Sequence, residues 1–251
     1  DLRSFSKENI FDVLGMKHTD YLPVGEMLER TVPTQRQKDG SILKGVVHDP
    51  LARELNLGIS GNAGLFSNAK DLAILVAALQ NGGEYNGKRI LSPMTVKAMR
   101  TVPRNTNTIG RTLGWDIFTP YSSSNGDLFG PNTYGHTGYT GTSITIDPDS
   151  NTAVILLTNR LHPDDKGEVV RLRSLIANVV AASVVEPESK EEELLADNMS
   201  PEEATIQKYH DHYYKRLVEF RNEKPIHSKS IVMLGNSITE GGGDWALKMN
   251  N

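Results

Sequence analysis

The 251-residue sequence contains no cysteine. This absence excludes disulfide bonds, thiolate metal sites and a cysteine nucleophile, and it leaves the redox compartment open. Basic residues are not in excess, because 27 lysines and arginines face 31 aspartates and glutamates, for a formal charge of −4. A surface that binds a nucleic-acid backbone is therefore not expected. No apolar run approaches the roughly 20 residues of a membrane-spanning helix.

The chain does contain enough hydrophobic material for a folded protein. Hydrophobic residues make up 37% of it and charged residues 23%, which fits one large globular domain or two small ones. The sequence begins at Asp1 without methionine and stops at Asn251, just after an apparent motif. We therefore expect an excerpt of a longer protein, so that a missing targeting signal carries no information.

An uneven distribution of charge divides the chain. Residues 186–203 hold eight acidic side chains and the single base Lys190, a pattern typical of a solvated linker or helix face. A helix start and apolar residues at steps of three and four follow, and they predict an amphipathic helix. We expect a first module over residues 1–185, an acidic linker over 186–204 and a second module over 205–251.

Helical and extended patterns alternate in the first module. Capping residues, apolar spacing and turn residues predict its elements. These are a helix from Asn68 to Asn81, a helix from Ser92 to about Arg100, a hairpin of strands 142–147 and 152–158, and a closing helix over 166–184. Polar segments at 101–112 and 119–133 are predicted to be loops.

The first motif with chemical potential is Gly135-His136-Thr137-Gly138, which leads into the hairpin. A histidine can share or exchange protons near neutral pH, and a threonine hydroxyl can hydrogen-bond a substrate carboxylate or carbonyl. Gly138 would let a substrate backbone approach the strand. The N–H of Tyr139 could then point at a developing oxyanion. Taken alone, the four residues favour a purely structural, glycine-rich entrance to a hairpin.

The motif has a context that changes this interpretation. Other segments flank it in a fixed order, at Asn9–Thr19, Val47–Asp49, Gly61–Leu72, Leu113–Trp115 and Val154–Asn159. Over about residues 1–184, the ordered set resembles the second half of the serine β-lactamase-related family, which groups class C β-lactamases, penicillin-binding proteins and related esterases. The resemblance implies an α/β (α+β) fold with helices on both sides of a mainly antiparallel sheet, of which only the C-terminal half is present.

The resemblance also implies roles for single residues. The third catalytic motif of the family is Lys-Thr-Gly, or His-Thr-Gly in many esterase-like members, and His136, Thr137 and Gly138 match the second form. The residue that follows donates an oxyanion N–H in the family and maps to Tyr139. The family nucleophile is the serine of Ser-x-x-Lys, assisted by Tyr-x-Asn. Both normally precede the segment that begins here at residue 10, so they would lie before Asp1.

Literal Ser-x-x-Lys matches begin at Ser4, Ser41 and Ser67, which shows how little this pattern means alone. The match of Ser67 with Lys70 lies at a helix start, where a one-turn offset would place the two side chains together. We interpret it as a helix-capping segment, because no Tyr-x-Asn follows it.

Other candidates have structural interpretations. His210 and His212 are two residues apart and would face different sides of a helix, so we predict no metal site. His48 is interpreted as a structural residue near the rim of the site, and Trp115 as a core residue.

A second motif follows an apolar run at 230–234, which predicts a buried strand of a parallel sheet. Gly235-Asn236-Ser237 comes directly after it, so Ser237 would lie on a tight turn beside the N–H groups of the next helix. The segment fits neither a Walker A loop, a dinucleotide fingerprint nor a Gly-x-Ser-x-Gly elbow.

This second segment resembles the first block of the GDSL/SGNH hydrolases over about residues 205–251. The resemblance implies the first strand and turn of a flavodoxin-like domain, with Ser237 as nucleophile and its N–H as oxyanion donor beside Gly235 and Asn236. The other oxyanion donors and the Asp-x-x-His of that family lie in later blocks, outside this chain.

Together the two resemblances imply a two-module serine hydrolase that cleaves esters or amides through acyl-enzyme intermediates. The implied substrates are a small molecule or an ester or peptide of cell-wall or carbohydrate material, with no metal or cofactor. By family analogy we expect a periplasmic or secreted location. We expect the excerpt itself to be inactive, because each site lacks its partners.

Two alternatives stay open. One is a non-catalytic binding protein that keeps the cleft of the β-lactamase fold and has lost the nucleophile; Ser-x-x-Lys and Tyr-x-Asn upstream would separate it from the enzyme. The other is a β-lactamase proper. His136 in place of lysine weakens this alternative, because a permanent cation suits the antibiotic carboxylate better than histidine does.

Overall fold

The computed structural model describes residues 1–103, 110–117, 119 and 122–185, with the backbone of 226–227 and 231–235. Its α-helices are α1 (Leu2–Ser6), α2 (Asp12–Leu14), α3 (Gly25–Arg30), α4 (Pro50–Glu54), α5 (Ala69–Gln80), α6 (Pro93–Met99) and α7 (Val170–Ser183). Its strands are β1 (Asp20–Tyr21), β2 (Leu65–Phe66), β3 (Glu84–Tyr85), β4 (Lys88–Arg89), β5 (Tyr134–Thr137), β6 (Thr142–Asp147), β7 (Thr152–Leu157), β8 (Val184–Val185), β9 (Ile226–His227) and β10 (Ile231–Gly235).

The central feature is a four-stranded sheet with the order β10-β7-β6-β5. β5, β6 and β7 are successive antiparallel strands, and β10 lies parallel to β7. The predicted hairpin of β6 and β7 is therefore confirmed. Asp147 stabilises its turn, because the carboxylate accepts a hydrogen bond from the backbone N–H of Ser150 at 3.0 Å. Asn151 adopts a φ of +51° there, a conformation that asparagine tolerates better than most residues.

Helices cover both faces of this sheet. α5 begins after Asn68, whose side chain accepts a hydrogen bond from the N–H of Asp71 at 2.8 Å, so the predicted helix start is confirmed. Its Val76 packs with Ile146 and Ile155 of the sheet in the main core cluster. Alternate residues of β7 point to the opposite face, where α7 packs. The described part of the chain is thus a mixed helix and sheet fold in layers.

The N-terminal helical stretch supports a second core cluster. It runs through α1, a π-helical turn at 7–11 and α2, and it ends at Gly15, which adopts a φ of +74°. This left-handed conformation ends helices and favours glycine. Phe11, Leu14 and Met16 pack against Ala78 of α5, so the stretch is fixed to the helix that covers the sheet.

The rest of the first module follows the predictions with two differences. The closing helix was predicted from residue 166 and begins at Val170, because Gly167 lies against Arg160 and donates its N–H to the Arg160 carbonyl at 3.0 Å. The polar segment predicted as a loop contains a 3-10 turn, Ser122–Asn125. Trp115 packs edge-on to a core tyrosine at 5.2 Å, which agrees with its interpretation as a core residue.

Little of the predicted second module belongs to the described residues. The segment predicted as an acidic linker at 186–204, the segment predicted as an amphipathic helix after it, Asn236 and Ser237 all lie outside them. The strand predicted at 230–234 is confirmed as β10, which ends at Gly235. Because β10 pairs with β7, it extends the sheet of the first module; a separate flavodoxin-like domain stays a prediction. None of the described helices has the length and apolar character needed to cross a bilayer.

Candidate active site beside strand β5

Strand β5 has backbone hydrogen-bond partners on both of its edges only up to Gly135. On one side it pairs with β6. On the other, Gly135 and Asp116 exchange backbone hydrogen bonds of 2.8 and 2.9 Å. Glycine is required here, because a Cβ on Gly135 would clash with the carbonyl oxygen of Ile144 and would lie 2.8 Å from the side-chain oxygen of Asn125. In the described chain, no strand pairs with the outer edge beyond this point, so the His-Thr-Gly segment borders an open edge.

The hydrogen bonds of His136 define its tautomer. The side chain is exposed; its Nδ1 lies 2.9 Å from the carbonyl oxygen of Thr137 and its Nε2 lies 3.1 Å from Nη1 of Arg111. A carbonyl only accepts and a guanidinium only donates. Nδ1 therefore carries the proton and Nε2 accepts, which describes a neutral imidazole beside a permanent cation.

Arg111 is held in place by a buried carboxylate. Its Nε lies 3.1 Å from Oδ1 of Asp116, a residue that is 3% exposed. The same carboxylate oxygen accepts a hydrogen bond from Thr119 at 2.6 Å. Asp116, Arg111 and His136 form a chain of contacts that leads from the core to the site. Sequence reasoning missed Arg111 because it lies in a polar segment interpreted as a loop.

A tight turn follows the His-Thr-Gly segment. Gly138 donates its N–H to the carbonyl of Thr142 at 2.8 Å, and Gly141 donates to the carbonyl of Gly138 at 3.1 Å. Among the residues that the structure describes, the backbone N–H of Tyr139 has no acceptor. An unpaired N–H at this position is available to a ligand, as the predicted oxyanion role requires.

The ring of Tyr139 forms the rim of the site. It stacks on His48 with a centroid distance of 5.7 Å, and the guanidinium of Arg160 lies 4.8 Å from its centroid. Its hydroxyl donates to Asp165 at 2.9 Å. The sequence placed His48 near the rim as a structural residue; the structure brings it into direct contact with Tyr139. Burial is the main cause that lowers the pKa of His48, and Arg53 lowers it further.

Arg173 donates hydrogen bonds to the turn from the neighbouring helix α7. It projects from α7, is 7% exposed, and its Nη2 donates to the carbonyls of Gly138 at 2.8 Å and Thr142 at 2.9 Å. Burial lowers the pKa of its guanidinium. The sequence carried a signal that was missed, because Arg173 occupies the same helical stripe as the buried Ala177 and Val180.

Comparison with known proteins identifies the family. Residues 1–178 match the family model described as Beta-lactamase. The chain belongs to the β-lactamase family. An Escherichia coli K12 protein named "Putative D-alanyl-D-alanine carboxypeptidase" is 33% identical over 180 residues, and a Salmonella gallinarum protein of the same name is 32% identical over 177 residues. Each alignment covers 64% of this chain and 40% of the relative, so the chain spans about two fifths of the length of these relatives.

Among solved structures, a β-lactamase from Mycobacterium bovis is similar with a TM-score of 0.45 and 19% identity, over 72% of this chain and 55% of that one.

The β-lactamase-family nucleophile motif is not formed by Ser67 and Lys70. The hydroxyl of Ser67 lies 2.7 Å from that of Thr19, and Ser67 precedes the N-cap residue Asn68, while Lys70 is exposed on the first turn of α5. The capping interpretation is therefore confirmed.

The other two matches have separate partners as well. The hydroxyl of Ser41 donates to Asp39 at 2.7 Å, while Lys44 donates to the carbonyl of Glu29 at 2.9 Å. Ser4 lies in α1, and the lysine of its match, Lys7, pairs with an aspartate instead. Within the described residues, no group of three or more histidines and carboxylates could hold a metal ion.

Proposed function

We propose that this β-lactamase-family segment supplies one wall and an oxyanion donor of a serine acyl-transfer site that hydrolyses esters or amides. The observation that carries the proposal is the backbone N–H of Tyr139, which has no acceptor in the described chain and directly follows the His-Thr-Gly segment, whose His136 is exposed. We place the nucleophile in a part of the full-length protein outside this chain, since none of the three Ser-x-x-Lys matches joins its serine to its lysine.

The proposed reaction has two steps. The serine oxygen attacks the substrate carbonyl, its proton passes to a base, and the tetrahedral intermediate places its negative oxygen against the N–H of Tyr139. Expulsion of the alcohol or amine, which takes up a proton, leaves an acyl-enzyme. Water then attacks this ester and releases the acid and the free serine. His136 and Thr137 line the strand edge along which the substrate lies.

The cation beside His136 favours a substrate that carries a carboxylate. The sequence analysis weakened the alternative of a β-lactamase proper, because a permanent cation suits the antibiotic carboxylate better than His136 does. Arg111 supplies one at 3.1 Å from the imidazole, and guanidinium groups bind carboxylates with good geometry. The names of the carboxypeptidase relatives suggest the same chemistry, so we propose a cell-wall peptide with a free C-terminus as the substrate class, processed outside the cytoplasm.

We also propose that residues 205–251 open an SGNH-type esterase module with Ser237 as its nucleophile beside Gly235 and Asn236. The support is the strand β10, which ends at Gly235, the first residue of the Gly-Asn-Ser segment.

Covalent labelling tests the first site. The full-length protein is treated with a serine-reactive acylating probe and assayed on a nitrophenyl ester and on a peptide ending in D-Ala-D-Ala. We expect labelling of one serine outside this chain and turnover that survives Ser67→Ala, a matched control for the Ser-x-x-Lys pattern. Ser237→Ala, assayed separately on an acetyl ester, tests the second module. Tight binding of the peptide without labelling or turnover would instead favour the non-catalytic binding protein.

A further inference from the structure

We propose that Arg173 is a positioning residue that orients and polarises the peptide between Gly138 and Tyr139, and so strengthens the N–H of Tyr139 as an oxyanion donor. The inference rests on the proposed function of that N–H. Arg173 lies on α7 and need not touch the substrate. The inference gives its buried charge a role in positioning the oxyanion donor.

The connection is covalent and short. The carbonyl of Gly138 and the N–H of Tyr139 belong to one planar peptide unit, and Nη2 of Arg173 donates to that carbonyl at 2.8 Å. A hydrogen bond from a cation is stronger than one from a neutral donor. It draws electron density toward the carbonyl oxygen, and hydrogen-bonded groups polarise one another in a low dielectric. The N–H at the other end of the same peptide therefore becomes a better donor.

The same contact fixes a direction. The peptide between Gly138 and Tyr139 is trans, since the cis bond in the described chain is that of His162 and Pro163. In a trans peptide the carbonyl and the N–H point in opposite directions. Because the carbonyl of Gly138 points toward the buried guanidinium of Arg173, the N–H of Tyr139 points away from α7. The second hydrogen bond of Arg173, to the carbonyl of Thr142 at 2.9 Å, holds the other end of the turn in position.

The charge of Arg173 is not cancelled nearby. Within the described residues, no carboxylate lies within 4.0 Å of its guanidinium, and its buried Nε has no hydrogen-bond partner there. Neighbouring Arg160, by contrast, pairs with Asp165 at 3.0 Å. Burying an unpaired cation is unfavourable for folding, and departures from packing rules of this kind are expected at functional sites. In the described chain, the charge of Arg173 therefore acts on the two carbonyls of the turn without a carboxylate in contact to offset it.

Amide NMR of this 15N-labelled chain tests polarisation without any turnover. The nitrogen shift of Tyr139 responds to hydrogen bonding at the carbonyl of Gly138, because both belong to one peptide. We expect Arg173→Met to move this resonance more than those of the strand β7 amides, and Arg173→Lys to give an intermediate position. Arg171→Met, two residues away on the exposed side of the same helix, is the matched control and should leave it in place.

An unchanged Tyr139 resonance in a folded Arg173 variant would overturn the inference. If Arg173→Met does not fold, Arg173→Lys decides, because an ammonium is a point charge that cannot reproduce the planar guanidinium contact. If the Tyr139 resonance of Arg173→Lys is identical to that of the native chain, the inference is likewise overturned.

Kinetics of the full-length protein separate this inference from the proposed function. Removing a whole oxyanion donor lowers kcat about a hundredfold to a thousandfold, so we expect loss of its polarising partner to lower kcat about tenfold with KM nearly unchanged. If the Tyr139 resonance moves and kcat does not, the polarisation by Arg173 is supported and the assignment of Tyr139 as the oxyanion donor fails.

Discussion

Nη1 of Arg111 lies 3.1 Å from Nε2 of His136, so a permanent cation borders the neutral imidazole of the His-Thr-Gly segment. The buried carboxylate of Asp116 holds the guanidinium from the other side at 3.1 Å. The site therefore combines a neutral hydrogen-bonding histidine with a fixed positive charge, two properties that a lysine at position 136 would merge in one side chain. This division makes the two contributions separable by mutation.

Arg111→Gln should weaken binding of peptides with a free carboxylate and spare neutral esters. A hydrogen bond to a charged group contributes about 1.5–3 kcal/mol, and each 1.4 kcal/mol corresponds to about tenfold in affinity. We therefore expect KM for a carboxylate-bearing peptide to rise about tenfold or more in the full-length protein. Arg30→Gln, at an exposed ion pair on α3, is the control. An equal loss on a neutral nitrophenyl ester would contradict a role in carboxylate recognition.

The stacked pair of His48 and Tyr139 predicts a shifted titration. Burial is the main cause that lowers the pKa of His48 below its usual 6.5. Tyr139→Ala removes the ring that covers the imidazole at 5.7 Å, so we expect the pKa of His48 to return toward its usual value. NMR titration of the imidazole carbons measures it. Tyr139→Phe keeps the ring and should keep the low pKa; a return in this variant too would assign the shift to the hydroxyl and not to burial.

His48 also makes stability depend on pH. Because its pKa is lower in the folded state, the unfolded chain binds the proton more readily, and the stability that this group contributes is complete above the unfolded pKa. It is lost as the pH falls through 6.5 toward the folded pKa. We expect His48→Gln to reduce the loss of stability over this range, measured by urea unfolding at a series of pH values. His162→Gln is the control, and an unchanged pH dependence in His48→Gln would refute the linkage.

Local sequence patterns predicted the longer helices and strands of the first 185 residues. The features that they did not predict depend on contacts between residues that are distant in the sequence. The cap at Asn68 and the hairpin turn at Asp147 depend on neighbours within three residues, so they are readable from short patterns. Arg111 and Arg173 reach the site across 25 and 35 residues. Such pairs follow from how the chain folds back, and only the burial stripe of α7 hinted at one of them. The start of α7 was missed for a similar reason, since Gly167 packs on Arg160.

Asp71→Asn is expected to lower the stability of the fold considerably, although it replaces only one heavy atom of the side chain. Asp71 is 2% exposed and accepts hydrogen bonds from the N–H of His18 at 2.7 Å and the hydroxyl of Thr19 at 2.9 Å. Asp71→Asn can keep an amide oxygen at the position of Oδ2, which accepts both bonds, but it removes the negative charge, and loss of this charge from two buried hydrogen bonds costs about 1–3 kcal/mol. We expect a decrease of this size in the free energy of unfolding. Asp12→Asn, at an exposed ion pair, should stay within about 0.5 kcal/mol; equal effects of the two changes would remove the special role of Asp71.

Gly141 sets the geometry that leaves the N–H of Tyr139 open, and it does not tolerate a side chain. Its φ is +121°, and a Cβ would lie 2.7 Å from the carbonyl oxygen of Thr158 and 2.9 Å from the backbone nitrogen of Arg160. Backbone strain costs about 1–3 kcal/mol, and overpacking adds about 1–3 kcal/mol. We expect Gly141→Ala to lower the free energy of unfolding by their sum and to shift the Tyr139 amide resonance.

Gly87 separates the two costs of that change. Its φ of +72° is also positive, but no atom lies within 4 Å of a Cβ placed there. Gly87→Ala therefore reports the backbone cost alone, about 1–2 kcal/mol for a left-handed residue, and should leave the Tyr139 amide where it is. Because the clash at Gly141 is with backbone atoms of the segment after β7, relief requires that segment to move away from the turn. If the two alanine variants lose the same stability and neither moves the Tyr139 resonance, the close packing of Gly141 does not shape the site.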